Sequence, residues 1–470
     1  MPQPQERTTI GVSSERAVLA AVRLPESVYD RSDPFGELRA LAEQAGAVIV
    51  GELTQNLARP VSGTYLGSGK VAELKDLCEL LGATTIIFDH DLSPKQIANI
   101  EKETGRKVID RSELILDIFA SRATTREAQL QVELAQVEYT LPRLRAMWTH
   151  LERIVGVGGI GGIGTRGPGE QQLEIDRRLA QARRLDLARE LRTIQSRKRR
   201  EVRARKAEHF TVGLVGYTNA GKSTLFNTLT AGGAYADDRL FATLMTRTRE
   251  WDLGGGLSVM LSDTVGFVRD LPHNLIASFK ATLDEAVHAD VLLIVLDVSD
   301  PAADLQYATV ASTVGELIGQ ARREAEHDGE AFSPPQRIVL LNKADRLADN
   351  AELLVWQRKI DGAIPICALA APPGTSEDSR PTGQADLARR VRSLAQGLVE
   401  ELDITVPFAQ SRAIHLIESQ GQVIDRTYDG DSVTIRVRIG RRQVEQLRAG
   451  GAKIAVAGEP RGSESKGWTA

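Results

Sequence analysis

A glycine, four intervening residues and then Gly-Lys-Ser make up the run Gly216-Tyr217-Thr218-Asn219-Ala220-Gly221-Lys222-Ser223, with Thr224 next. The strand-like Phe210-Thr-Val-Gly-Leu-Val215 precedes it, and the helix-like Thr224-Leu-Phe-Asn-Thr-Leu229 follows. That context gives the spacing its chemistry. Glycines let backbone amides turn toward a phosphate, and a helix N-terminus adds partial positive charge. Lys222 has the reach for the outer phosphates, and the Ser223 hydroxyl can ligate magnesium. The run predicts a site for a nucleoside triphosphate.

Asn342-Lys343-Ala344-Asp345 predicts which one. It follows the apolar Ile338-Val-Leu-Leu341, which reads as a buried strand. At a strand's carboxyl end, the Asp345 carboxylate can accept from guanine's ring N–H and exocyclic amine. Adenine has no such donor pair on that edge, so a single acid discriminates. Asn342 is expected to brace the loops, and the Lys343 stem to lie over the base. Between the two motifs lies Asp263-Thr264-Val265-Gly266, after the alternating Leu257-Ser-Val-Met-Leu261. There an aspartate holds magnesium through a water and a glycine amide contacts the terminal phosphate, so the loop senses whether that phosphate is present. Thr243 is the candidate second hydroxyl on magnesium, and Cys367-Ala368-Leu369 sits where a base-supporting loop would close the site.

This ordered set resembles the translation-factor class of GTPases. Gly216 to Asn227, Phe241-Ala242-Thr243-Leu244 and Asp263-Thr-Val-Gly-Phe267 resemble, more narrowly, the HflX family of ribosome-associated GTPases. So do Gly161-Gly-Ile-Gly-Thr-Arg-Gly-Pro-Gly-Glu170, Gln172-Leu-Glu-Ile-Asp-Arg-Arg178, Gln131-Val-Glu-Leu-Ala-Gln136 and Leu141-Pro-Arg-Leu144. The chain departs from the family at Met245-Thr-Arg-Thr-Arg249, where Asp and Pro-Thr-Thr-Arg are usual, and at Cys367, where Ser is usual. The resemblance implies GTP and GDP as ligands, magnesium bound by Ser223, Thr243 and Asp263, and catalysis involving Lys222, Thr243, Gly266 and Asn219. It also implies a partner, the large ribosomal subunit and its RNA, on which the protein splits or rescues ribosomes. Asn219 has two readings, potassium recruitment or loop bracing. Phe267 stands where many GTPases place a water-orienting Gln, which predicts slow intrinsic hydrolysis that a partner must stimulate. Arg247 and Arg249 either reach the site or stay solvated.

The rest of the chain must position these residues. At 470 residues, several domains are expected. The expected class is α/β. A phosphate-loop GTPase domain (208–402) is preceded by an N-terminal segment (1–25) holding the first strand, an α/β module (26–124) and a long helical hairpin (125–207). A small α+β module (403–457) and a disordered tail (458–470) follow. Residues 156–169 are a glycine-rich tip between two long helical patterns, eight of fourteen being glycine. It contains a formal dinucleotide fingerprint, but after a helix rather than a strand, which rejects that reading. The tip either touches RNA, with Arg166, or is a mobile connector. Pro142 should interrupt the first helix. From Arg177 to Lys206 the second helix carries Arg177, Arg178, Arg183, Arg184, Arg189, Arg192, Arg197, Lys198, Arg199, Arg200, Arg203, Arg205 and Lys206 against Asp186, Glu190 and Glu201. The net charge is −4, so positive charge is concentrated here, which favours RNA over a plain solvated face. Ala321 to Gln336 reads as a surface insertion, and the last helix of the GTPase domain as Ala385 to Leu402. Two distant cysteines, no long apolar run and a polar start predict a cytoplasmic monomer, at most peripheral to a membrane, with no membrane span and no DNA partner. The rivals are a subunit-assembly GTPase, a nucleotide-gated RNA remodeller and a signalling GTPase.

Overall fold

A computed structural model describes residues 15–25, 27, 29–30, 33–143, 168–230, 246–254, 257–270, 285–329, 332–347, 349–369, 383–397, 399–449 and 451–457. The first sheet is parallel: β1 (Arg16–Arg23), β2 (Val48–Asn56), β3 (Thr85–Phe88) and β4 (Lys107–Ile109), in the order β2-β1-β3-β4. Strand β1 is almost wholly apolar because both faces are covered. Val18, Ala20 and Val22 pack with Leu74 of α2 (Ser68–Leu81) and Ile100 of α3 (Pro94–Thr104). Ala17, Leu19 and Ala21 face Leu38 of α1 (Gly36–Gln44) and Ile115 and Phe119 of α4 (Arg111–Arg122).

Helix α5 (Arg126–Thr140) starts on Thr125, whose hydroxyl caps Ala128 N. It ends two residues before Pro142. Helix α6 (Pro168–Glu208) returns antiparallel to it. Leu130 and Leu134 meet Leu187 and Leu191 along the seam. Arg126 pairs with Glu190 at 3.0 Å, and Arg183 Nε donates to Glu133 at 2.7 Å. The glycine-rich tip lies outside the described residues.

The second sheet has six strands: β5 (Thr211–Gly216), β6 (Arg247–Asp252), β7 (Ser258–Asp263), β8 (Val291–Asp297), β9 (Gln336–Asn342) and β10 (Ile364–Pro365). Their order is β10-β9-β8-β5-β7-β6, all parallel except the antiparallel edge strand β6. Helices α7 (Lys222–Leu229), α8 (Ala303–Asp328), α9 (Asn350–Lys359) and α10 (Gln384–Gln396) accompany it. Strand β5 has β7 on one side and β8 on the other, so its carboxyl end is where an open α/β sheet leaves a ligand crevice. The last sheet is antiparallel, β12-β13-β11-β14, from β11 (Val399–Pro407), β12 (Gln422–Asp429), β13 (Ser432–Gly440) and β14 (Ala455–Val456). One face is covered by α11 (Ser411–Gln420) and α12 (Arg441–Ala449) through Ile417 and Val444.

Two stretches differ from the sequence reading. Residues 321–328 continue α8, because Ala321 is buried against the sheet core. The helix expected to reach Leu402 stops at Gln396, and Val399 already begins β11. Gly397 turns the chain at φ 64°, and Ile404 and Val406 then alternate into the last sheet's core. Residues 458–470, the expected tail, lie outside the described residues.

Candidate functional site

The phosphate loop joins β5 to α7. Two residues in left-handed conformation make the turn, Asn219 (φ 62°) and Gly221 (φ 93°). Gly221 is also a point of close approach, since a Cβ there would lie 2.2 Å from Asn342 Nδ2. Lys222 begins α7, is 6% exposed, and donates from Nζ to Tyr217 O at 2.7 Å. Burial pushes its ammonium down to about 8, with Asp263 opposing. Ser223 Oγ donates to Asp263 Oδ2 at 2.8 Å, and Asp263 is fully buried. A hydroxyl beside a carboxylate at a phosphate loop is a hard oxygen donor set, which fits magnesium. Thr224 lies in the first turn of α7.

The Asp263–Gly266 turn is sewn to this loop. Phe267 N donates to Gly216 O at 3.0 Å, and Thr218 N to Phe267 O at 2.8 Å. A Cβ on Gly266 would come within 2.8 Å of Thr218 Cγ2 and 3.0 Å of Lys222 Nζ, so backbone lies open to the lysine only at glycine. Thr264 donates its hydroxyl to Leu214 O at 2.6 Å, and Phe267 is buried in the GTPase core. The Phe267 side chain therefore offers the site no polar group.

On the base side, Asn342 bridges two loops. Its Nδ2 donates to Ala220 O at 2.7 Å, and Ala368 N donates to its Oδ1 at 3.0 Å. Lys343 is left-handed (φ 58°) and pairs with Asp297 at 2.7 Å. Ala344 starts a short 3₁₀ turn, which leaves Asp345 exposed. The Cys367 thiol bonds to Asp345, and burial followed by that bond pushes its pKa up. Thr228 Oγ1 donates to Ala368 O at 2.7 Å and Gln384 Nε2 to Cys367 O at 3.0 Å, while Leu369 is exposed. The fold thus brings the phosphate loop, Asp263–Gly266, Asn342–Asp345 and Cys367–Leu369 to one end of one sheet. Phe241, Ala242, Thr243, Leu244 and Met245 lie outside the described residues. Arg247 and Arg249 are exposed on β6, and Arg249 lies 5.9 Å from the Phe226 ring centroid.

A set of residues that the motifs do not indicate joins this site to the first sheet. Arg269 follows the Asp263–Gly266 turn and donates from Nη2 to both Asp89 oxygens at 2.9 Å. Asp89 also pairs with Arg23 at 3.0 Å and Arg111 at 2.7 Å. Burial works against its charge, but Arg111, Arg269, His90 and Arg23 hold its carboxyl below the usual range. Arg111 reaches Arg269 O at 3.1 Å and Glu37 at 2.8 Å. The Tyr217 hydroxyl bonds to Glu37 and accepts from Arg269 N at 2.7 Å. Val265 and Val268 enter the core shared by α1, α4 and α5. Tyr217 and Val265, read from the sequence only as nucleotide-loop residues, have side chains that serve this junction. No local signal marks the partners, because Asp89 and Arg269 are 180 residues apart.

Three family models match along the chain. Residues 32–120 match the family "GTP-binding GTPase N-terminal", 122–205 "GTP-binding GTPase Middle Region" and 211–343 "50S ribosome-binding GTPase". GTPase HflX of Lacrimispora saccharolytica is 40% identical over 430 residues, covering 90% of this chain and 93% of the relative. GTPase HflX of Escherichia coli is 41% identical over 338 residues, covering 72% and 75%. Among solved structures, the SsGBP–GDP complex is 25% identical and covers 81% of this chain and 98% of that one, with a TM-score of 0.42. With relatives 40% and 41% identical matched over most of its length and the three family models in order along it, the chain belongs to the HflX family of GTPases.

Proposed function

We propose that the protein is a GTP-driven switch that binds the ribosome, chiefly its large subunit, and splits or rescues it. GTP hydrolysis then releases the factor. The observation that carries this reading is the continuous chain of contacts from the phosphate loop through Phe267 and Arg269 to Asp89 of the first sheet. A terminal phosphate that draws the Gly266 amide toward it pulls on the same few residues that hold the N-terminal module. Nucleotide state thereby becomes domain arrangement.

In this reading the backbone of Gly216–Thr224 and Lys222 hold the phosphates, and Asn342, Asp345 and the Cys367–Leu369 loop hold guanine. Ser223, Asp263 and Thr243 would hold magnesium, which would supply positive charge to the phosphates. Phe267 leaves water orientation to the partner, and Asn219 is the position from which potassium would be recruited. Helix α6 supports RNA as the docking surface. Lys198 turns in to Glu127 and Arg183 pairs with Glu133 while staying half exposed, and Arg177, Arg184, Arg192 and Arg200 are exposed. The protein acts as a monomer in the cytoplasm; among the described residues no helix is long and apolar enough to cross a membrane.

The test is GTP hydrolysis by the full chain alone, with naked ribosomal RNA and with isolated large subunits, in potassium and in sodium. Stimulation by subunits and not by naked RNA is expected. Fast turnover without a partner, or equal activation by bare RNA, would overturn the reading.

A further inference from the structure

The C-terminal module carries a cavity that the guanine site does not use. Its volume is about 290 Å³, and its lining includes His209, Gln410, Arg412, Leu416, Gln443 and Leu447. It lies between α11, α12 and the joint where α6 passes into β5. None of the described residues that line it is acidic. The backbone orients its amides. Lys453 N donates to Gln410 Oε1 at 2.8 Å, and Gly440 N donates to Gln443 Oε1 at 3.0 Å. With those oxygens engaged, each glutamine chiefly offers its NH₂ donors. Gln443 is 2% exposed, and its Nε2 has no hydrogen-bond partner among the described residues. A buried donor left unmet is costly, so an acceptor is called for at this spot. Arg412 adds a guanidinium, which only donates. Leu416 and Leu447 supply apolar surface.

Amide donors, a guanidinium and apolar side chains in one lining select a ligand with carbonyl acceptors, a flat ring and an anion. We propose that this cavity binds one nucleotide unit, with its base carbonyls on the Gln443 and Gln410 amides, its ring on Leu416 and Leu447, and its phosphate on Arg412. A base with a carbonyl edge fits this wall better than adenine, whose exocyclic amine donates. The unit is either a free nucleotide or one residue of an RNA chain. His209 follows the last residue of α6, and α12 packs on α6, so the bound unit would sit at the joint between the basic helix and the GTPase sheet.

Uridine 5′-monophosphate is the free-nucleotide probe, because the Asp345 site selects guanine, and hexauridylate is the RNA probe. The full chain, saturated with GDP and magnesium, is titrated with each by equilibrium dialysis and saturation-transfer NMR. At least one probe should saturate, and Arg412→Glu, a change of an exposed side chain, should weaken it about tenfold or more with GDP affinity unchanged. Gln443→Leu should do the same, and Arg412→Glu decides if that variant does not fold. Binding of the mononucleotide assigns the free form, and binding of hexauridylate alone assigns RNA. Saturation by neither probe up to about 10 mM, or equal binding by Arg412→Glu, overturns the proposal.

Discussion

Replacing Arg269 with Met keeps the stem length and removes the guanidinium that ties the Asp263–Gly266 turn to Asp89. Asp89 is 1% exposed, and Arg269 only 13%. Stripping the last partner from a buried charge would cost about 3–5 kcal/mol. Asp89 keeps Arg23 and Arg111, however, so the loss is closer to that of hydrogen bonds to a charged group, about 2 kcal/mol. The energy is lost locally, which makes hydrogen exchange on the full chain the right assay. Amides of residues 263–269 should lose protection by roughly 30-fold, since each 1.4 kcal/mol is a factor of ten. Asp89→Asn should loosen the same amides, and the double variant should be no worse than about the larger single effect, a coupling of about 2 kcal/mol. Additive effects, or unchanged protection of 263–269 in Arg269→Met, would refute the network as the link between turn and sheet.

Further outcomes follow from the site itself. Gly221→Ala would place a methyl 2.2 Å from Asn342 Nδ2 in a backbone at φ 93°, so a fluorescent GDP titration should show at least about a tenfold loss of affinity. Lys222, held at about 8 by burial, is neutral above that pH until phosphates raise its pKa. Nucleotide binding should therefore take up protons above pH 8 and weaken as pH rises. Calorimetry in buffers of different ionisation enthalpy reads this uptake, and its absence would contradict the assignment. Asp345→Asn should weaken GTP by about 100-fold or more and favour xanthosine triphosphate, whose extra carbonyl accepts where guanine donates. A turnover competition between the two nucleotides checks it.

The placement of the residues at the two ends of the candidate site was legible because each set lies in one short run. Strand, glycine turn and helix surround Lys222 in sequence as they do in space, and Asn342 follows its own strand. The cradle of Ser223 and Asp263 was readable from motif order alone. The junction was not. Arg111 opens a helix after Asp110 and belongs to no motif, yet it is 1% exposed because Glu37 and Asp89, distant in sequence, surround it. The hairpin was visible as two long helical patterns, but the pairing of Arg183 and Lys198 across it was not, since sequence does not say which basic residues of a helix meet its partner. The end of α10 was misplaced because Val399, Leu402 and Val406 keep a helical spacing while Leu402, Ile404 and Val406 alternate as a strand, and pairing with β13 selects the strand.

The most direct test of the switch is equilibrium binding of the full chain to isolated large ribosomal subunits, with a non-hydrolysable GTP analogue and with GDP. If the terminal phosphate is read through Gly266, Arg269 and the first sheet, the analogue should bind the chain to subunits at least about tenfold more tightly than GDP, and Arg269→Met should narrow that ratio. Equal affinity in the two nucleotide states would contradict the account, because a phosphate sensor that changes no binding is not a switch.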